Sequence, residues 1–358
     1  MPSIRNPINP NGFIDLTSTL EDIPFSYGRY ADSGLFAEQG IANSAITFKV
    51  LDQNDTKMTK LTSRTERDAM AVERAKEKLV TMAGVTVKET GGVHVEDLMG
   101  LTSGILSVES DTWQEATLKE LTRLGNAAAA NYEYLITTAS QGRVLDPYDG
   151  ATVMDLYTQT GTTETTFTID AAPASNIFAS LNELTNLVSR LNGSNGNVGT
   201  IEVVLGEEAF SNVVSHPDFS ALAQLSFTGM GQQAMNNPLL NGSAGIQERT
   251  RYGYRREFMW NNFLFVTYPQ KFIRWNGAAV DAVATNKGWT IVHNVTGLYE
   301  VKFVPAPYAS NLRGVGQKWL ARTTGIINDT HSDITLESHL IPYMKRPEMA
   351  IDITVTII

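Results

Sequence analysis

The feature that most constrains this chain is a helical pattern of nearly thirty residues, from 111 to 139. Ser110 and Asp111 are good N-cap residues, and Glu115 places negative charge where the helix dipole favours it. Apolar residues recur at spacings of three to five, and the alanines at 127–130 favour helix strongly. A helix of this length spans roughly 40 Å. It therefore predicts a structural spine around which the other elements pack.

Strand and helix patterns surround this spine in an order that predicts the α+β class with an antiparallel component. The predicted strands cover residues 45–53, 166–169, 200–205, 251–259, 263–268, 289–293, 298–304, 334–340 and 349–358, and the predicted helices cover residues 171–191 and 207–214. Asn261 and Asn262 separate two of the strands and indicate a hairpin. The final strand alternates apolar and polar residues, so we expect it to pair with another strand.

Two parts of this pattern depend on glycine or proline. Residues 64–83 fit a charged helix and a strand equally well, and we expect the strand pattern at 79–87 to end at Gly91 and Gly92. The prolines at 342 and 347 are expected to separate the last two strands.

Residues 1–44 carry little periodic structure, but they are more apolar than a solvated linker. Prolines alternate here with apolar side chains, among them Phe13, Phe25, Leu35 and Phe36. We interpret the segment as an extended arm that lies on a surface of its own subunit or of a neighbour. The alternative is a disordered tail.

Composition excludes several classes of function. The 28 basic and 38 acidic residues give a net charge of −10, which argues against a dedicated nucleic-acid binder. Because cysteine is absent, disulfide scaffolds, zinc–thiolate sites, iron–sulfur clusters and thiol nucleophiles are excluded. No apolar run is long enough to span a membrane, and the N-terminus does not have the pattern of a signal peptide. Charged residues are only 18% of the chain, which indicates surface intended for contact.

No motif predicts a catalytic, cofactor or metal site. Nucleophile-elbow, P-loop and dinucleotide-binding patterns are all missing. Asp329, His331 and Asp333 would share one face of a strand and could hold a divalent ion, but a polar loop explains them better. The arginines at 249–256 lie among aromatic residues, as in single-strand binding platforms. An exposed hairpin with its aromatic side chains packed beneath is the favoured interpretation.

The stretch from 49 to 78 is rich in basic residues and is interpreted, by itself, as a solvated face of a hairpin or helix. Its basic side chains include Lys49, Lys57, Lys60, Arg64, Arg67 and Arg74.

Several segments, spread over the chain, resemble the lambda-type phage major capsid proteins, the major capsid protein E family. The first is Ile-Pro-Phe-Ser-Tyr-Gly-Arg-Tyr at 23–30, followed by Gly-Leu-Phe-Ala-Glu-Gln-Gly-Ile at 34–41. Leu-Asp-Pro-Tyr-Asp-Gly at 145–150 is similar to the segment after the family's long helix. The segments at 297–308 and 337–348 are the most similar. Residues 56–90 match poorly, and residues 220–250 are not diagnostic.

The resemblance implies the HK97-like capsid fold. Residues 1–44 would form the N-terminal arm, and residues 45–92 an extended β-hairpin loop (the E-loop) laid over the adjacent subunit. Residues 93–164 and 306–358 would form the peripheral domain, which contains the spine helix 111–139 and is completed by the C-terminal strands. Residues 165–305 would form the axial domain. The ten apolar and basic residues named above in the arm and the basic stretch would then be intersubunit contacts.

As to function, the resemblance implies a major capsid protein that self-assembles into pentamers and hexamers of an icosahedral phage head. The shell would enclose double-stranded DNA without sequence-specific binding, since the subunit is acidic. It would assemble in the bacterial cytoplasm with a separate scaffolding protein, because the N-terminal segment is too short to contain one, and with a portal and, in some phages, a decoration protein. Neither an enzymatic activity nor a cofactor is implied. The alternatives are another phage structural protein that forms tails or rings, and a metal-dependent hydrolase.

Overall fold

A computed structural model describes residues 13–16, 28–51, 77–95, 110–193, 198–219, 246–249, 255–268, 271–274, 277–308, 314–324, 327 and 330–356. The helices are α1 (Tyr30–Ser33), α2 (Ser110–Ser140), α3 (Leu156–Thr160), α4 (Ile177–Asn192) and α5 (Glu207–Val214), with a 3₁₀ turn at Pro347–Met349. The strands of the first half are β1 (Phe13–Asp15), β2 (Ala37–Gly40), β3 (Ala45–Leu51), β4 (Glu77–Ala83), β5 (Val85–His94), β6 (Arg143–Leu145), β7 (Thr152–Asp155) and β8 (Thr165–Asp170). Those of the second half are β9 (Ile201–Leu205), β10 (Ile246–Arg249), β11 (Arg255–Trp260), β12 (Phe263–Thr267), β13 (Lys271–Ile273), β14 (Ala279–Asp281), β15 (Lys287–Val292), β16 (Tyr299–Phe303), β17 (Leu320–Thr324), β18 (His331–Met344) and β19 (Ile351–Thr356).

The predicted spine helix is confirmed as α2, which has 31 residues. Leu121, Leu124 and Ala128 lie on its buried face and pack with Ile334 and Leu336 of β18. Its last turns, residues 132–140, are buried on all sides. A helix that is half covered along one part and enclosed along another organises the subunit, because separate elements can pack on it at each level.

The first large sheet, of six described strands, is built on β18. One edge of β18 pairs with β17 and then with β16, and its other edge pairs with β5 along ten residue pairs, from His331↔His94 to Leu340↔Val85. Short β1 and β2 flank β17 and β16. We call this the six-stranded sheet.

Two sequence expectations about this sheet were wrong. Gly91 and Gly92 do not end a strand, because β5 continues through them opposite Ile334 and Asp333. A side chain at Gly91 would collide with the Glu120 carboxylate of α2, so glycine permits the close approach of helix and sheet. Pro347 does separate β18 from β19 as expected, but Pro342 lies inside β18. There it forms a non-hydrogen-bonded pair with Val301 of β16, a position that does not need an N–H donor.

The second large sheet has the order β10-β11-β12-β9-β15-β19-β8 in the described residues. Strand β9 is buried at every position, with β12 on one side and β15 on the other. The hairpin predicted at Asn261 and Asn262 is confirmed, with Asn261 in the left-handed region at φ 52°. We call this the seven-stranded sheet.

The last strand corrects the expectation that the C-terminal strands complete one peripheral sheet. β18 belongs to the six-stranded sheet, but the 3₁₀ turn at Pro347–Met349 carries the chain across to the seven-stranded sheet. There β19 inserts between β15 and β8 with Ile351, Ile353 and Val355 buried. Conversely β16, within the range expected for the axial domain, pairs in the six-stranded sheet.

Helix boundaries were predicted well at α5 and less well at α4. α5 spans Glu207–Val214 as expected, with both acidic residues in its first turn. α4 begins at Ile177 rather than at residue 171, because the Asn176 side chain accepts a hydrogen bond from Ala179 N and caps the helix there.

Candidate functional site

A buried network of charged groups joins the N-terminal segment, the spine helix and the seven-stranded sheet. The guanidinium of Arg29 donates to Glu202 on β9, with Nη2 2.6 Å from Oε1, and to Glu257 on β11, with Nη1 3.2 Å from Oε1. His293, just after β15, lies 2.8 Å from the other oxygen of Glu202. Two strands of one sheet are therefore tied directly to a single arginine of the N-terminal segment, and Glu202 connects them to the end of β15.

The carboxylate of Glu133 on α2 holds the adjacent backbone. It accepts hydrogen bonds from the N–H groups of Arg29, Tyr30 and Ala31 at 2.8–2.9 Å, and from the Tyr268 hydroxyl at 2.7 Å. Burial raises the pKa of Glu133, and these four donors oppose that rise because they stabilise the carboxylate. The N-terminus of α1 is thus fixed directly to the spine helix.

Gly28 makes this arrangement sterically possible. Its φ is +100°, and a Cβ there would overlap the Glu133 carboxylate. Only glycine fits both the backbone conformation and the space.

Opposite charge keeps Glu202 ionised in the interior. Burial alone would raise its pKa, but the hydrogen bond with His293 and the charge of Arg29 bring the pKa below its ordinary value. Glu133 and Glu202 accept hydrogen bonds from groups of this same chain, so the network fixes the relative positions of these elements.

Sequence analysis missed these residues as a site. Glu202 is the one charged residue in the otherwise apolar run Ile-Glu-Val-Val-Leu, and Glu133 lies in a stretch of α2 rich in alanine and tyrosine. A single charged residue in an apolar run indicates a buried ion pair, but it does not identify the residue that supplies the opposite charge.

The hairpin of β3 and β4, which we call the finger, forms a two-stranded sheet of its own from Ala45↔Ala83 to Leu51↔Glu77. At its base Val80 and Met82 are buried, and Phe48 stacks on Tyr343 of β18 with ring centroids 5.0 Å apart. Beyond Val80 the alternation stops: Lys78 and Leu79 are both exposed, Leu79 by 65%. The Lys78 side chain still reaches the body, with its Nζ beside Gly161, so Leu79 is the large apolar residue of the finger that faces away from it.

The strand predicted at 45–53 is confirmed as β3, and the ambiguity at 64–83 is resolved as strand from residue 77 onward. The expected E-loop ended at residue 92, but β5 already belongs to the six-stranded sheet from Val85. The described part of the finger is thus shorter than the expected loop.

The predicted intersubunit contacts fall into three groups. Phe36 is only 5% exposed and packs on Tyr299 of its own chain at 5.3 Å, with Leu35 partly buried beside the same core. Phe13 lies in β1 and Lys49 in β3, strands that pair within the subunit. Phe25, Lys57, Lys60, Arg64, Arg67 and Arg74 lie outside the described residues. These contacts remain predictions, and Phe36 has little surface left for a neighbour.

The two candidate chemical motifs both lie in strands of the large sheets, as far as they are described. Arg249 and Arg255 are register partners in the ladder of β10 and β11, and the aromatic residues Phe258 and Trp260 pack with Phe219. This confirms the strand pairing and the packing of these two aromatic residues, whereas Tyr252 and Tyr254 lie outside the described residues. The polar loop expected at 329–333 is wrong for His331 and Asp333, because both lie in β18 and pair with β5; Asp329 lies outside the described residues. Among the described residues, no group of three metal-ligating side chains comes together.

A pair of carboxyl groups links β19 to the segment before β8. Asp352 and Glu164 share a hydrogen bond, and Arg143 on β6 binds Glu164 with Nη2 2.5 Å from Oε2. Partial burial and the adjacent Glu164 raise the pKa of Asp352 to about 6, from an ordinary value of 3.8, whereas hydrogen bonds from Asp352 and Arg143 lower the pKa of Glu164.

Asp352→Asn is expected to stabilise the subunit by about 1–2 kcal/mol at pH 7, after allowance for solvent screening. Because the folded-state pKa of Asp352 is raised to about 6, its contribution to stability is complete below pH 3.8 and is lost as the pH rises through about 6. The amide removes this loss and still donates to Glu164. Urea unfolding of the two proteins between pH 4 and pH 7 measures the difference.

The matched control is Glu183→Gln, at an exposed position of α4. It should change the free energy of unfolding by no more than about 0.5 kcal/mol at either pH. Equal stability of Asp352→Asn and the parent chain at pH 7 would contradict the interpretation of the pair.

Comparisons with known proteins bear on the resemblance noted in the sequence. The family model described as phage major capsid protein E matches residues 13–355. The major capsid protein of Salmonella phage Felix O1 (isolate Felix O1-VT1) is 23% identical over 355 residues, which cover 95% of each chain.

The fold is shared with a solved structure. A prophage protein from E. coli CFT073, described as a capsid protein, aligns with a TM-score of 0.57 at 11% identity over 95% of this chain and 98% of its own. The mature capsid protein of bacteriophage PhiM1 aligns with a TM-score of 0.48 at 13% identity over 94% and 89% of the two chains. The predicted HK97-like α+β fold is confirmed.

Proposed function

This chain belongs to the phage major capsid protein E family, and we propose that its copies assemble as pentamers and hexamers that close into an icosahedral head around double-stranded DNA. It is a major capsid protein, and its copies oligomerise into the capsid shell. The observation that carries the finer proposal is the finger, because a separate two-stranded ribbon with an exposed apolar residue can bury area on a neighbour without a larger core.

The exposed surface of the finger fits this role. Leu79 is a large apolar residue that no contact within the described subunit covers, and it lies opposite Lys49 in the ladder. An apolar side chain flanked by lysines suits an interface in which apolar contact provides affinity and charge provides register.

The N-terminal segment would add further contacts between neighbouring subunits. Its described parts are held by the same subunit, through β1, β2 and Glu133. Residues 1–12 and 17–27 lie outside the described residues, and we propose that these parts of the arm reach a neighbour. Residues 45–83 would be the E-loop, and the six- and seven-stranded sheets would be the centres of the peripheral and axial domains.

The remaining partners and the location follow from the family and stay within the proposal. A separate scaffolding protein would guide assembly in the bacterial cytoplasm, a portal would occupy one vertex, and some phages would add a decoration protein. The subunit would have no catalytic role and would contact DNA without sequence preference, consistent with its net charge of −10. No helix in the described residues is long and apolar enough to cross a membrane.

Leu79→Asp is expected to reduce the yield of closed particles at least tenfold, since it places a charge in a contact that assembly would bury. The measurement is negative-stain electron microscopy and sedimentation of particles made with the native scaffold. Leu79→Met, which retains the apolar area, is the matched control and should assemble like the parent chain. Normal shells from Leu79→Asp would contradict the role of the finger, and open rings or tubes from the parent chain would favour the tail-type alternative.

A further inference from the structure

The register of the six-stranded sheet brings together two histidines that lie far apart in the sequence. His94 ends β5 and His331 begins β18, directly opposite each other, with ring centroids 5.6 Å apart and planes inclined by 23°. His94 is exposed and His331 is partly exposed. Neither residue takes part in the buried network or in the finger.

Their position in the ladder favours chelation. Val95 N donates to Thr330 O at 2.9 Å, so the neighbouring pair His94↔His331 is a non-hydrogen-bonded pair of the antiparallel ladder. Side chains in such pairs approach most closely. A tetrahedral ion bound through two imidazole nitrogens at about 2.0–2.1 Å separates the ring centroids by roughly 5 Å, close to the observed spacing.

Neighbouring groups orient the donors. Thr330 Oγ1 lies 2.9 Å from Nδ1 of His331, which leaves Nε2 as the coordinating atom of that ring. Nε2 of His94 and Oδ1 of Asp333 both lie 3.6 Å from the point that a Cβ of Gly92 would occupy. The absent side chain of Gly92 thus leaves space between an imidazole and a carboxylate, where a metal-bound water could be held by Asp333.

We propose that His94 and His331 form a binding site for a divalent transition-metal ion of the Zn²⁺ class, with water in the remaining coordination positions and Asp333 as the outer acceptor. Imidazole pairs select such ions over Mg²⁺ and Ca²⁺, which prefer oxygen ligands. The bound ion links the end of β5 to the start of β18, and it stabilises the folded subunit because an unfolded chain has no preformed site.

The other three histidines lie elsewhere in the fold. His216 and His339 are buried and hydrogen-bonded, and His293 contacts Glu202. The variants of His94 and His331 therefore assign the zinc response to the pair at the end of the sheet.

The test is isothermal titration of ZnCl₂ into full-length, untagged, chelator-stripped subunit at pH 7.5, with a thermal melt in parallel. We expect one ion per subunit, a rise of a few degrees in Tm with zinc, and no response to MgCl₂. His94→Ala and His331→Ala should each weaken binding at least tenfold, and Asp333→Asn should weaken it several-fold.

Thr90→Ala is the matched control, because Thr90 lies on the same exposed face of β5 and pairs with Thr335. It should bind zinc like the parent chain. Melting without zinc verifies that the variants fold. The proposal is overturned if the parent chain takes up no zinc, or if the double variant His94→Ala/His331→Ala binds zinc with unchanged stoichiometry and affinity.

Discussion

Arg29→Met is expected to lower the free energy of unfolding of the subunit by about 3–5 kcal/mol, because it leaves Glu202 as a buried carboxylate without its main counter-charge. Arg29 donates two hydrogen bonds to Oε1 of Glu202, from Nη2 at 2.6 Å and from Nε at 3.1 Å. The Glu202 side chain is only 4% exposed, so water cannot replace the guanidinium. Methionine retains much of the side-chain volume, and the loss therefore reflects charge rather than a cavity.

Urea unfolding of unassembled subunits, followed by tryptophan fluorescence, measures this effect. Arg123→Met is the matched control, since Arg123 pairs with Glu120 on the surface of α2 and its side chain is 62% exposed. Its cost should not exceed about 0.5 kcal/mol. Adding Glu202→Gln to Arg29→Met should restore part of the stability, because it removes the uncompensated charge. If both arginine variants lose equal stability, the network does not have the assigned role.

Glu133→Ala is expected to cost about 4–6 kcal/mol, the other large effect in the subunit. Three backbone N–H groups and the Tyr268 hydroxyl lose their acceptor together, and each unsatisfied buried donor costs about 1–3 kcal/mol. The removal of the side chain also leaves a cavity beneath α1. The N-terminal segment should detach from the spine helix, so trypsin should cleave after Arg29 much faster than in the parent chain.

Two further variants separate the causes. Glu115→Ala, at an exposed position on the same helix, should change stability by less than about 0.5 kcal/mol. The stability of Glu133→Gln should lie between that of Glu133→Ala and that of Glu115→Ala. Its amide oxygen still accepts hydrogen bonds, but its NH₂ group faces other donors. Unchanged trypsin resistance at Arg29 in Glu133→Ala would contradict the assignment of Glu133 as the anchor of this segment.

The long helix and several strands were predictable because their patterns are local. A run of alanines with apolar residues at helical spacing has one favourable solution, and α2 follows it. The alternation in β19 and the acidic start of α5 are signals of the same kind. Family membership was also predictable, from short segments such as residues 23–30 and 145–150, and the family match over residues 13–355 confirms it.

The candidate sites were predictable only in part. His331 and Asp333 stood out in the sequence and were interpreted as a polar loop. Nothing in the sequence indicates that His94 lies opposite His331, because the register of β5 and β18 decides this. Arg29 lies in one of the family-like segments, yet its partner Glu202 is 173 residues away. Short-range patterns carry no information about such distances.

The sequence by itself determined the α+β class, the spine helix, the strand-rich C-terminal half and the capsid family, because each depends on periodicity or on short segments read in order. Only the tertiary structure decided which sheet each strand joins, as with β16 and β19, and why β5 continues through Gly91 and Gly92. It also decided that Arg29, Glu133 and Glu202 meet in the interior. The physical reason is that pairing and ion-pair formation depend on which surfaces are buried together, and that is a property of the whole folded chain.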